Sequence, residues 1–411
     1  MERSGSHSRP FDLAIIGGGP AGTAAALQAR RCGLQVAIWE RDRFPRHKVC
    51  GEFISGESLP LLQQEVPLAL ARSAVIRRAE FVAQSGRRYS FTLPSAARGL
   101  SRFVLDEALW RAAIHSGAEI YEGTAIRRVG TWKAGPRTSC VGRPGSPIDT
   151  VLPSPQLWEV QPAEGESRRT RAVLIACGRW WSLEGFPSPG QDERAAGPWL
   201  GAKAHFAGAA SGDAVEMYFF PGGYCGLAPI EDGLLNACCL VHRALARRAD
   251  AGGLADFARW LKKVARHPAL DARLSGATQV SATIATAPIQ PLRRSVDHSG
   301  GLLAGDAAGF LDPFTGDGIA QALYAGRLAA EAVAQGYARD PKSLVLAADA
   351  YQHRLRQAVE PSYRVAALLR LLVRAPARLQ ELAATLLSGF APRLVTATRW
   401  HGNRAVAGSP D

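Results

Sequence analysis

Three glycines, Gly17-x-Gly19-x-x-Gly22, and an acid 18 residues further on, Glu40, are the residues whose types and spacing most directly suggest chemistry. Such glycines permit a tight turn, close approach of backbone to a pyrophosphate and close packing of a helix on a strand. A helix opening there offers free N–H groups and a partial positive charge to phosphate oxygens. Gly17, Gly19, Pro20, Ala21 and Gly22 are therefore candidate ligands of a dinucleotide, and Glu40 can accept hydrogen bonds from ribose hydroxyls.

A second run, Gly305-Asp306-Ala307-Ala308-Gly309-Phe310-Leu311-Asp312-Pro313-Phe314-Thr315-Gly316-Asp317-Gly318-Ile319, lies almost 300 residues after the first. A nicotinamide dehydrogenase needs no such returning segment, whereas a flavin has a long ribityl chain and a ring to hold. Asp306 suits the ribityl hydroxyls. Backbone N–H groups of Gly316, Asp317, Gly318 and Ile319, at a helix start, suit the electron-rich edge of the ring and would stabilise its anionic reduced form. FAD is the expected cofactor.

The elements that must carry these residues follow from pattern. Phe11 to Ile16 reads as an apolar strand, Thr23 to Arg31 as a helix and Gln35 to Trp39 as a second strand, which together make a dinucleotide-binding unit. Alternation over Arg77 to Leu93 predicts two strands, and Ser101 to Ser116 a helix. Strands are predicted at 118–121, 158–160, 172–176, 203–206, 215–220, 234–241 and 301–304, with helices at 254–266 and 319–335. The Pro-, Gly- and Ser-rich stretch Lys133 to Pro155 reads as an exposed loop. Beyond Pro341 the chain reads as helical, with breaks at Pro361, Pro376 and Pro392. The expected fold is α/β: a Rossmann-like FAD-binding domain (1–75, 101–180 and 280–340), an inserted β-sheet substrate domain (76–100 and 181–279), and a C-terminal helical region (341–411).

Composition narrows the function classes. With 411 residues, 47% apolar and 21% charged, the chain can bury a sizeable core. The net charge of +13 comes from arginines spread along the sequence, not from a clustered basic face, so nucleic acid is not the expected partner. Seven cysteines without a CxxC pair suggest neither a disulfide framework nor a zinc site, and no metal is expected. The N-terminus lacks a secretory core and no unbroken apolar span is visible, which makes a cytoplasmic location the expectation. The tail from Tyr351 carries nine arginines and three acids. It reads either as a helical cap over the substrate cavity or as basic helices in peripheral contact with an acidic membrane.

On the two glycine motifs with Glu40, residues 11–340 resemble the flavoprotein superfamily that includes p-hydroxybenzoate hydroxylase, geranylgeranyl reductases and flavin-dependent halogenases. Ser101-Arg102-Phe103-Val104-Leu105-Asp106 is similar to its Arg-x-x-x-Asp helix start, which implies that Arg102 contacts the cofactor; as a bare reading, Arg102 is equally an exposed charge. Phe44-Pro45-Arg46-His47-Lys48-Val49-Cys50-Gly51-Glu52 resembles the Lys-x-Cys-Gly-acid segment of the geranylgeranyl-reductase-like subgroup, which passes near the flavin. Arg41, Arg46 and Lys48 then add positive charge beside the cofactor, with Cys50 and Gly51 near the ring. Cys50 either touches the ring or is a space-filling thiol.

Pro221 to Pro229 resembles the reductases' substrate strand Pro-x-x-Tyr-x-Trp-x-Phe-Pro. Tyr224 matches, but Gly226 and Ala228 stand where that pattern has Trp and Phe, which implies a wider cavity and a larger or differently shaped apolar substrate. The halogenases' Trp-x-Trp-x-Ile is absent, which counts against halogenation. The hydroxylases' Asp-Gly pair is replaced by Ala176-Cys177-Gly178-Arg179-Trp180, which counts against their route of reduction by NADPH. Tyr224, His205 and Cys50 are the candidate catalytic side chains, although His205 reads equally as a satisfied strand histidine. The resemblance implies reduction of a carbon–carbon double bond in an isoprenoid- or polyketide-like molecule. Hydroxylation is the alternative, and a non-catalytic flavin-binding or membrane-docking protein is the alternative of another class. NAD(P)H or a separate flavin-reducing partner is left open as the reductant.

Overall fold

The computed structural model describes residues 9–132, 157–179, 182–185, 197–209, 212–249, 254–289, 292–293, 301–310, 316–339, 343–374 and 381. The expected loop Lys133 to Pro155, and the expected breaks at Pro376 and Pro392, lie outside them.

Two large sheets organise these residues, beside a two-stranded pairing of Leu292–Arg293 with Gly309–Phe310. The first has seven strands, in the order Glu119–Glu122, Val36–Glu40, Phe11–Ile16, Arg168–Ile175, Trp158–Pro162 and Ile126–Thr131, with Leu302–Leu303 also on Arg168–Ile175. Phe11–Ile16 pairs in parallel with both of its neighbours, an arrangement that goes with cover on both faces, and its last four residues are buried. One face packs Leu13, Ile15 and Ile38 against the alanines of two helices, Pro20–Arg31 and Gly318–Arg339. Small residues allow these helices to approach: a Cβ on Gly326 would stand 2.0 Å from the Ala21 carbonyl oxygen. On the other face the rings of Trp39 and Tyr121 stack at 4.8 Å.

The second sheet has nine strands, in the order Thr278–Gln279, Trp199–Ala207, Leu235–His242, Gly223–Pro229, Ala214–Phe220, Ala74–Val82, Arg88–Gly99 and Phe53–Ile54, with Ile284–Ile289 also on Trp199–Ala207. It thus draws in Phe53–Ile54 and Ile284–Ile289 from beyond residues 76 and 280. One face, with Ala202, Ala204, Phe206, Cys225 and Leu227, buries Phe257, Trp260 and Leu261 of the helix Phe257–Ala265. Alternation then turns Lys203, His205, Tyr224, Gly226 and Ala228 to the opposite face.

Pro361 does not end the C-terminal helix, which runs from Ser343 to Arg374 with the proline inside. A proline costs a helix one hydrogen bond and a steric clash. Here tertiary contacts hold both sides: Tyr351 is buried and donates its hydroxyl to the Leu303 carbonyl at 2.7 Å, and Ser362 and Tyr363 are buried beyond the proline. No helix among the described residues is long and apolar enough to cross a membrane.

Candidate cofactor and substrate site

The first glycine turn is built as its spacing requires. Gly17 has φ +112°, and a Cβ there would lie 2.4 Å from the Ala176 carbonyl oxygen; a Cβ on Gly22 would lie 1.8 Å from that of Gly17. These two positions admit no side chain. Gly19 differs, since the nearest atom to its Cβ position is Arg102 Nη2 at 3.9 Å. The helix starts at Pro20 with no side-chain cap and no acid in its first turn. Its N–H groups near Ala21 and Gly22 therefore present an anion site over the open side of Gly19.

Beside this turn lies a network of buried acids and arginines. The Gly18 N–H donates to Glu40 Oε2 at 2.8 Å, and the Asp42 N–H to Oε1 at 3.0 Å. Arg46 reaches Glu40 Oε2 at 3.1 Å and Asp106 Oδ2 at 3.2 Å, with its guanidinium 4.7 Å from the Phe44 ring centre. Arg102 grips the fully buried Asp106 with a fork, Nε to Oδ1 at 2.5 Å and Nη2 to Oδ2 at 2.7 Å. Burial works against its charge, but Asp106 outweighs that and raises the proton affinity of the guanidinium. Ser101 caps this helix by accepting the Val104 N–H at 3.2 Å. Lys48 binds Asp42 at 2.9 Å; burial pushes that carboxyl up, and Lys48 and Arg46 bring it below its ordinary range. Arg41 is different: it is exposed, and its ion pair with Asp42 is long, at 3.7 Å.

The returning segment closes on the same place. Gly305, with φ +60°, has its Cβ position 3.0 Å from the Ala21 Cβ, so Asp306 stands beside the pyrophosphate helix, within the field of Arg179. Gly316, with φ +70°, is backed by Phe53, while Gly51 and Gly318 face open space and Asp317 and Ile319 are buried. An uncapped helix start, open glycines on three segments and forked arginines fit an FAD. After the strand Arg168–Ile175, Gly178 takes φ +82° and the Arg179 guanidinium sits 4.4 Å from the Phe310 ring centre, with a hydrogen bond to Thr286 Oγ1 at 3.2 Å.

On the sheet face, Tyr224 packs with Trp199, Leu240 and Ile289, flanked by Met217, Phe219 and Phe310. Gly226 lies next in register to Cys238 and Lys203, and Ala228 to Asn236 and His205. A Cβ on Gly226 would meet Met217 Sδ at 3.1 Å. His205 and Lys203 turn to Glu52: His205 Nε2 is 2.7 Å from Glu52 Oε2, and Lys203 Nζ pairs with Oε1. Burial pushes the Glu52 carboxyl up, yet the hydrogen bond from His205 and the Lys203 charge hold it below its ordinary value. Oε1 also accepts the Arg102 N–H at 2.8 Å. Cys50 is a half-buried thiol that accepts the Glu52 N–H at 3.3 Å; desolvation pushes it up, so it stays neutral near pH 7.

The residues expected at a cofactor thus gather in two groups joined by Arg102, with Arg41 outside. Sequence reasoning gave no role to Glu52, Lys203, Asp106 or Asn236. A signal existed for Lys203: Lys203-x-His205 puts two titratable residues on one face of an apolar strand. Asp106 lies one helical turn after Arg102, the spacing of an ion pair. Nothing in the sequence singles out Asn236.

The sequence model of the FAD dependent oxidoreductase family matches residues 12–45. The chain is 26% identical to a menaquinone reductase of Mycolicibacterium smegmatis over 90% of this chain and 86% of that protein. It is 28% identical to digeranylgeranylglycerophospholipid reductase 2 of Methanopyrus kandleri, over 81% of this chain and 79% of the relative. Among solved structures, the flavin-dependent brominase Bmp2 superposes with a TM-score of 0.68 at 18% identity, covering 95% of this chain and 94% of the other.

Proposed function

We propose that this chain, an FAD-dependent oxidoreductase, reduces a carbon–carbon double bond in an apolar isoprenoid- or polyketide-like molecule. When bound, the flavin supplies the hydride. The chain's own residues do the rest. The Gly17–Gly22 turn, Glu40, Arg46 and Arg102 hold the nucleotide half; Asp306 and the Gly316–Gly318 helix start hold the flavin half. One observation carries the substrate class: Tyr224, Gly226 and Ala228 lie on a sheet face with an apolar wall (Trp199, Leu240, Ile289, Met217) at one side and the ionisable pair Lys203 and His205 at the other. Such a face suits a hydrocarbon that must also take a proton. The names of the two relatives, both reductases of molecules with long apolar chains, point the same way.

The enzyme, loaded with FAD and reduced with dithionite under nitrogen, is mixed with menaquinone or digeranylgeranylglycerophospholipid. Reoxidation of the flavin with a product that is still heavier by two hydrogens after air has returned any quinol to the quinone supports reduction. Reoxidation that waits for oxygen, with an oxygen atom in the product, would replace this reading by hydroxylation. The absence of the hydroxylases' Asp-Gly pair from Ala176-Cys177-Gly178-Arg179-Trp180 favours a separate flavin-reducing partner over direct use of NADPH, and omitting each reductant in turn tests that.

A further inference from the structure

Glu52, Lys203 and His205 are 0%, 1% and 4% exposed, and they meet at one point. Taking charges out of water costs several kcal/mol each, and apolar side chains would often fill such a space at less cost. Glu52 also sits at φ +56°, the left-handed region that residues other than glycine seldom adopt, so backbone strain is held at the same point.

The place adjoins both ends of the cofactor cradle. Gly51, just before Glu52, faces open space, and Phe53, just after it, backs Gly316 at 3.1 Å from that glycine's Cβ position. The backbone N–H of Arg102 binds Glu52, while its guanidinium is the nearest group to Gly19. Two polar atoms beside the cluster are buried without a partner among the described residues: Asn236 Oδ1, opposite His205 on the next strand, and His47 Nδ1. The half-buried His47 ring packs edge-on to His205 at 5.2 Å.

We propose that His205, held by Glu52 and Lys203, stores the proton taken up when the flavin is reduced and gives it to the substrate, with His47 as the route by which solvent reloads it. The assignment rests on the reductase reading for its last step alone. In that step the carbon–carbon π bond breaks. One carbon receives the hydride of the reduced flavin, which is thereby oxidised; the other receives the proton of His205, which is left neutral. Glu52 and Lys203 act through His205 and are positioning residues. Among the described residues the remaining ionisable neighbours are His47 and Cys50 from the preceding loop, Cys238 from the adjacent strand, Arg102 from the helix and the buried Glu231, whose charge acts on His47. Burial keeps both thiols neutral, and burial with the Lys203 charge lowers the proton affinity of His47. A neutral His47 can relay a proton without trapping it.

The test uses the FAD-loaded enzyme without substrate. For a two-electron couple, each proton taken up shifts the midpoint potential by about 30 mV per pH unit. Reduction to the anionic flavin takes one proton; a store in the protein takes a second. Spectroelectrochemical titration between about pH 7 and 8 should give roughly 59 mV per unit for wild type and roughly 30 mV for His205→Gln. A wild-type slope near 30 mV overturns the store without recourse to any variant, and so does a His205→Gln slope equal to that of wild type. His47→Gln should keep the wild-type slope but slow proton uptake from a dye-buffered solution on rapid reduction; unchanged uptake removes His47 from the route. An enzyme with the steep slope that reduces neither probe lipid keeps the store and ends the reductase reading.

Discussion

Lys203 Nζ lies 3.1 Å from His205 Nε2, on alternate residues of one strand, and both face the single carboxylate of Glu52. Two nitrogen groups against one acid, all buried, make that carboxylate the charge on which the joint between sheet and cofactor cradle depends.

Glu52→Gln should therefore destabilise the protein by about 3–5 kcal/mol, the usual cost of leaving a buried partner charge unpaired. Thermal melts of the FAD-free protein at neutral pH read this directly. A loss under about 1 kcal/mol would mean that water reaches Lys203.

Acid should act on the same carboxyl. Its folded-state proton affinity lies below that of an exposed glutamate, so its contribution is complete above the ordinary glutamate range of about 4.3 and is lost as pH falls through the lower folded value. Wild type should lose more stability than Glu52→Gln on acidification below about pH 4. Parallel acid curves for the two proteins would show that Glu52 does not set the acid limit.

Gly22→Val should abolish FAD binding, because a Cβ at that position already stands 1.8 Å from the Gly17 carbonyl oxygen. The yellow colour of the purified protein and its recovery on adding FAD are the readout. Gly19→Ala should be far milder, since only Arg102 lies near its Cβ position, at 3.9 Å. Retention of FAD by Gly22→Val would mean that the turn does not hold the pyrophosphate.

Glu40→Ala should weaken FAD by about tenfold to a hundredfold, the worth of hydrogen bonds to a charged group. FMN, which brings no adenosine ribose, should lose little. Arg46 keeps Asp106 and Asp42 as partners, so the local structure should survive. Equal losses for FAD and FMN, by titration of flavin fluorescence, would assign Glu40 to holding the turn through Gly18 alone.

Gly226→Trp should stop turnover while leaving the flavin bound. The new side chain starts 3.1 Å from Met217 Sδ and must displace it, at a cost of about 1–3 kcal/mol in overpacking. A melt made beside the activity assay separates a blocked face from an unfolded one. Unchanged turnover and substrate affinity would take Tyr224, Gly226 and Ala228 out of the substrate site.

Local pattern is enough to place the first glycine turn and the elements beside it. Glycine spacing, an apolar strand and an uncapped helix start are local features, because the turn is closed by contacts such as Gly22 on Gly17, five residues apart. The returning Gly305–Ile319 segment was legible for the same reason, its backbone conformation being written in Gly305 and Gly316. The pairing of Glu52 depends on long-range packing. Its partners, Lys203 and His205, are about 150 residues away, and their meeting depends on which face of the larger sheet turns to the loop that carries Cys50. Packing decided as well that Arg102 faces the turn and not solvent, through the buried Asp106, and that Pro361 stays within a helix held on both sides. Local pattern assigns a conformation to each segment. Burial, which sets the energy of every charge in the cluster, is a property of the packed whole.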